Sequence, residues 1–416
     1  MARKKKKQIK MAKYYNHTLP NGLRVVHVPT ASRVAYCGLS INAGSRDDLP
    51  GKSGLAHFVE HTIFKGTKRR RSYHIINRME RVGGELNAYT TKEGTALYSL
   101  FPCEHFERAI ELIGDLVANS QFPEGELVKE REVVLEEIDS YRDTPMDAAY
   151  DDFEDMLFAG STLGHNILGC EQDLMNITAE DCRRYIDSLY VPENMVFFAM
   201  GDIKSDRLFR LVEKYLGVLN HKLERMPRIA PCDVPVFRKS VNIDSHQAHT
   251  IVGKKMFSMH DDRKYAAFLL NNILGGPGMN SLLNVAIREK RGYAYTVESN
   301  VSLMSDCGLF QIYFGSDARH VNAGLRIISN IMNDLVTKPL SEKALQAAKQ
   351  QYLGQLLVSS ENKEAMALSL GKNYLNYDCV MTDGELSEHI NALTAQDIMS
   401  CAELLAFDTC SILTLK

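Results

Sequence analysis

The stretch Leu55 to Lys65 reads LAHFVEHTIFK, with two histidines four residues apart and a glutamate directly before the second. If it is helical, His57 and His61 stand one turn apart on a single face with Glu60 beside them. Neutral imidazoles so spaced can ligate one zinc ion, and a carboxylate that is not a ligand can take a proton from water polarised by that ion. The order is the inverse of the commoner His-Glu-x-x-His arrangement. With 13 His in 416 residues, such a pattern arises by chance in roughly a few chains per hundred. A third ligand is therefore needed.

The long charged helix expected from GELVKEREVVLEEIDSYRDTP, ending before Pro145, can supply it. On that helix Lys129, Glu132, Glu136 and Ser140 make a polar stripe, whereas Glu137 falls with Val133, Val134 and Tyr141. Glu137 is therefore the carboxylate expected to point inward. Glu130 lies two turns earlier on the same face, about 10 Å along the axis. One carboxylate can bind a metal while the other orients a ligand from behind.

Other elements must hold these residues. Ser53 is placed to cap the motif helix, and Gly66 to stop it. Two strands precede it, a helix over Tyr73 to Val82 follows, and GGELNAYTTKEGTALYSLF reads as two strands joined at Thr91 to Gly94. Glu85 to Thr90 has the alternation of an edge or half-exposed strand, able to accept an extended peptide by backbone hydrogen bonds. Glu104 to Asn119 and residues 203 to 218 are periodic as helices are. The segment MPRIAPCDVPV, with three prolines, reads as a linker.

Beyond the linker the order of strands and helices repeats in outline without the histidine motif, which suggests two copies of one unit. The fold expected is α/β (α+β), with two homologous domains, each a mixed sheet packed with helices. The division is a basic arm at 1–13, a metal-binding domain at 14–226, a linker at 227–240 and a second domain at 241–416. The loop Gly275-Gly276-Pro277-Gly278 lacks the Lys-Ser/Thr ending of a phosphate-binding loop.

Composition narrows the partners. The net charge is −3, and setting aside the six Lys/Arg of residues 1–10 leaves −9, so nucleic acid is not the expected partner. Nine cysteines are scattered without a Cys-x-x-Cys pair, as suits reduced thiols in a cytoplasmic protein. No run of 18 apolar residues marks a membrane span, and the basic N-terminus lacks a signal peptide's apolar region. The run Lys68-Arg69-Arg70-Arg71 reads as a solvated loop, with steering of acidic peptides the alternative.

The spacing His57-x-x-Glu60-His61 followed by Glu137 within EREVVLEEI resembles the pitrilysin/insulinase family of zinc peptidases, in its two-domain, processing-peptidase form. Asn21-Gly22-Leu23, Asn87-Ala88, the segment Tyr190-Val191-Pro192-Glu193-Asn194-Met195 and Gly201-Asp202 extend the likeness over nearly the whole chain. The resemblance implies one zinc ion per chain held by His57, His61 and Glu137, with Glu60 as general base and Glu130 assisting. It implies an endopeptidase acting on extended peptides inside a chamber, with Asn87 and Ala88 on the strand that binds substrate. Arg288 and Tyr295 resemble the pair that holds substrate opposite the zinc, with Tyr293 the competing tyrosine. It further implies a homodimer whose sites are shared between chains; the alternative within the family is a non-catalytic core subunit.

Overall fold

A computed structural model describes residues 14–416, so the basic arm expected at 1–13 lies outside the described residues. The first half contains β1 (Tyr15–Thr18), β2 (Arg24–Pro29), β3 (Val34–Ile41), α1 (Leu55–Thr62), α2 (Ser72–Glu80), β4 (Glu85–Thr90) and β5 (Thr95–Pro102). It continues with α3 (Phe106–Asn119), α4 (Glu124–Arg142), α5 (Pro145–Leu157), α6 (Glu171–Asn176), α7 (Ala179–Leu189), β6 (Met195–Gly201) and α8 (Ser205–Leu216). The second half runs β7 (Arg238–Val241), β8 (Ala248–Met256), α9 (Lys264–Gly275), β9 (Ala294–Leu303), β10 (Gly308–Ser316), α10 (Val321–Thr337), α11 (Glu342–Ser359), α12 (Lys363–Tyr377), α13 (Asp383–Ala392), α14 (Ala395–Leu404) and β11 (Ser411–Leu415).

The sheets are ordered β1-β2-β6-β3-β5-β4 and β7-β11-β8-β10-β9. Apart from β1 the two orders correspond strand for strand, each with one parallel pair, β2 with β6 and β7 with β11, and antiparallel pairs elsewhere. The expected duplication of one mixed-sheet unit is thus present in the topology. Among the described residues no helix is long and apolar enough to cross a membrane.

Each half lends a helix to the other. Alternate residues of a strand face opposite sides of a sheet, and in β6 Met195, Phe197 and Ala199 join the core of the first half. Val196, Phe198 and Met200 face the other way, onto Ala367, Leu370 and Tyr374 of α12. A β-carbon at Gly371 would lie 2.4 Å from the Phe198 ring, so only glycine lets α12 sit this close. In the same manner Ala149, Phe153 and Leu157 of α5 cover Ile251, Tyr313 and Leu413 of the second sheet. Each large apolar side chain buried in these layers contributes about 2–3 kcal/mol.

The motif helix starts one residue later than expected and by another device. Gly54 occupies its N-cap with φ +89° and no side-chain cap, and a side chain there would strike the Leu168 carbonyl. Instead of Ser53, the buried Asp48 carboxylate accepts from the Gly54 and Ala56 amides at 2.7 and 2.8 Å, satisfying amides that a helix start leaves unpaired. The helix ends at Thr62 rather than running to Gly66. In the basic run Lys68, Arg69 and Arg71 are exposed as a solvated loop would have them, whereas Arg70 is half-buried and paired with Glu111 at 2.6 Å and with Asp115. All nine cysteines are free thiols.

Candidate metal centre

α1 packs on α4, and that contact creates the site. His57 is buried with 7% of its surface exposed, while His61 and Glu137 are half-buried. Glu137 Oε2 lies 3.7 Å from His57 Nε2 and 3.5 Å from His61 Nε2. One ligand atom from each residue lies within 4.8 Å of the others, and this is the one such metal-competent group among the described residues. The separations exceed those of hydrogen bonds, so the three donors converge on a point without bonding one another. Ligand atoms around a tetrahedral zinc ion with bonds near 2.0–2.1 Å stand about 3.4 Å apart, so this donor set fits zinc.

The electrostatics suit ligands. Burial, and secondarily the neighbouring His61, push His57 down to about 3, so its ring stays neutral and keeps a lone pair for a cation. His61 Nδ1 is 3.1 Å from Glu130 Oε1. A carboxylate only accepts, so Nδ1 carries the proton there and Nε2 is free toward Glu137. His57 Nδ1, by contrast, is buried without a hydrogen-bond partner among the described residues. Glu130 is thus behind His61 rather than in the donor triangle.

Glu60 points elsewhere on the same helix. It is half-buried beside Thr90 at the end of β4, and burial raises its pKa; Thr90 and His61 oppose that rise and the Glu137 charge adds to it. A carboxyl raised by burial is a better proton acceptor than one in water. β4 is the edge of its sheet, paired through Asn87 with Tyr98 and Ala88 with Leu97 of β5, and among the described residues no strand lies on its other side. Its residues 86–90 are half-buried.

Arg288 and Tyr295 meet one another, the guanidinium carbon 5.7 Å from the ring centre. Tyr295 is 80% exposed on β9, the edge of the second sheet, and Arg288 lies in the last turn of a short π-helical stretch, Asn284–Glu289. Tyr293 instead stacks on His320 at 4.3 Å.

Three contributors were not identified from the sequence. Asp48 holds the start of α1, Thr90 faces Glu60, and Lys65 pairs with Glu130 at 2.6 Å. Lys65 was within reach, since it lies four residues past His61. Asp48 and Thr90 carry no signal of spacing, because their roles depend on how the chain folds back.

Residues 24–171 match the model of the insulinase family of peptidases, M16, and residues 176–352 match that of the peptidase M16 inactive domain. An uncharacterized zinc protease of Bacillus subtilis is 33% identical over 394 residues, covering 94% of this chain and 95% of the relative. One from Streptomyces coelicolor is 32% identical, covering 92% and 85%. The crystal structure of a protease from Helicobacter pylori superimposes with a TM-score of 0.89 over 98% of this chain and 100% of that one, at 23% identity. A Pseudomonas fluorescens structure described as a peptidase M16 inactive domain gives 0.88 over 97% of each chain, at 19% identity. By the match along both halves and by relatives at this identity, the chain belongs to the insulinase family of peptidases, M16.

Proposed function

We propose that the protein is a zinc-dependent endopeptidase for extended peptides, with one metal site per chain. The observation that carries this reading is the convergence of His57 Nε2, His61 Nε2 and Glu137 Oε2 on one point, with Glu60 close by on the same helix and outside that set. A zinc ion held there would supply Lewis acidity toward water and the scissile carbonyl. Glu60 takes the proton of the attacking water and passes it to the leaving amine. Glu130 keeps His61 in the tautomer that presents Nε2. The open edge of β4, with Asn87 and Ala88, binds the peptide as an added strand and delivers its backbone beside Thr90 and Glu60.

Arg288 and Tyr295 would bind the substrate carbonyl and the negative charge that develops on it. Their position in the chain bears on assembly. Tyr295 stands eight residues, about 26 Å, before the end of β9, and it is that end which leads into Ser305, bonded to Glu93 of the β4–β5 loop. The pair thus lies far along the strand from the end near Thr90. This supports a homodimer in which the metal half-site of one chain faces the Arg288–Tyr295 pair of the other.

The metal assignment is tested by zinc content. Glu137→Gln should lose most of the one equivalent bound by wild type, and Glu136→Gln, altering an exposed carboxylate, should keep it. The reverse result would show that the wrong carboxylate has been assigned.

A further inference from the structure

Lys65 lies just past the end of α1, four residues beyond His61, where its amide still bonds the Thr62 carbonyl at 3.0 Å. Its ammonium is 2.6 Å from Glu130 Oε2, and the other oxygen of that carboxylate is 3.1 Å from His61 Nδ1. About three-quarters of the Lys65 side chain is shielded, with 24% exposed, and Glu130 is more enclosed, at 12%. Along the α1–α4 contact the order is therefore ammonium, carboxylate, imidazole, carboxylate, imidazole: Lys65, Glu130, His61, Glu137, His57.

The two carboxylates have the same chemistry and sit on one helix, so something must keep Glu130 from turning toward the cation site. Two contacts hold it back: each of its oxygens has a partner on the α1 side. The ammonium also cancels the charge that Glu130 would otherwise bring, unpaired, into a shielded place, where an unpaired carboxylate is costly. Among the described residues His57 has no equivalent support, since its Nδ1 is unpartnered there, so the orientation of the histidine pair depends on the His61 side.

We propose that Lys65 is a positioning residue of the metal centre. It pins Glu130 as the acceptor for His61 Nδ1–H, and thereby fixes the His61 ring with Nε2 toward the site. The inference rests on the zinc reading above.

The test is the zinc dissociation constant of the metal-stripped, full-length protein, measured by competition with a chromophoric chelator and without peptide. Lys65→Met keeps the length of the side chain and removes its charge, and it should weaken zinc binding by about 10–100-fold, the range for groups that orient metal ligands. Lys65→Arg, which keeps the charge, should restore affinity to within a few-fold of wild type. Glu130→Gln should show a loss of the same order, and the double variant Lys65→Met/Glu130→Gln no more than Glu130→Gln alone, because Lys65 acts through Glu130. Should Lys65→Met fail to fold, Lys65→Gln serves in its place. Affinity unchanged in Lys65→Met, or losses that multiply in the double variant, would overturn the proposal. Wild type that binds no zinc would overturn the zinc reading as well, whereas wild type that binds it with Lys65→Met unaffected would remove only this inference.

Discussion

Glu130 and Glu137 are the same residue two turns apart on one helix, and what separates them is the partner each meets. Glu130 spends both oxygens, on His61 Nδ1 and Lys65. Glu137 has neither, and its oxygen faces two imidazole nitrogens at distances too long for hydrogen bonds. That Glu137 rather than Glu136 turns inward was legible in the periodicity, because Lys129, Glu132, Glu136 and Ser140 do form an exposed stripe. The neighbours assigned to Glu137 were only partly right. Val133 and Tyr141 are exposed, and the inward face is Leu127, Glu130, Val134 and Ile138, with Glu137 at its rim. From the rim its carboxylate reaches both imidazoles. What spacing could not reveal is the contact made by chain reversal, such as Asp48 capping α1 from six residues before Gly54.

At the scale of elements, the half-exposed alternation of β4 and the helical periodicity of α3, α4 and α8 were readable, because burial on one face leaves its period in the sequence. The exchange of α5 and α12 was not. An apolar stripe says that a face is covered and not by which sheet. α5 also carries acids on its other face: burial, opposed by Lys92, raises Asp151 to about 6 and Glu154 to about 7. Both values lie above those of the unfolded chain, so between about pH 4 and 7 the native state binds more protons than the unfolded state. Stability from these groups is therefore present at low pH and is lost as pH rises through that window. Measured by denaturant unfolding of the metal-free protein, the stability of wild type relative to Glu154→Gln should fall by about 2 kcal/mol between pH 5 and 8. A difference between the two proteins that does not change with pH would show that α5 is not charged at a cost.

At the scale of the molecule, the two hairpin loops that correspond under the duplication meet each other. Glu93, between β4 and β5, accepts from the Ser305 amide and hydroxyl between β9 and β10 at 2.7 and 2.6 Å. Arg46, its side chain wholly buried, bonds both Glu93 and Asp306. With the exchanged helices, this contact fixes how the two edge strands stand to one another, β4 beside the end of α1 that carries Glu60 and β9 carrying Tyr295. If the sites are shared between chains, inactive Glu60→Gln and inactive Arg288→Ala proteins, dissociated together and reassembled, should recover activity. Random pairing makes half of the dimers mixed, each with one site intact in both halves, so recovery should approach about a quarter of the wild-type rate. Mixed dimers that remain inactive would place the whole site within one chain.

The central claim is that Glu60 moves the proton in a metal-assisted peptide hydrolysis, and it is tested most directly by the rate at which zinc-loaded Glu60→Gln cleaves a mixed peptide library, set beside zinc-loaded wild type. The account predicts hydrolysis by wild type and a loss of at least about 10²-fold in the variant at unchanged zinc content, as for removal of a general base. Cleavage by the variant at the wild-type rate, or none by zinc-loaded wild type, would contradict it.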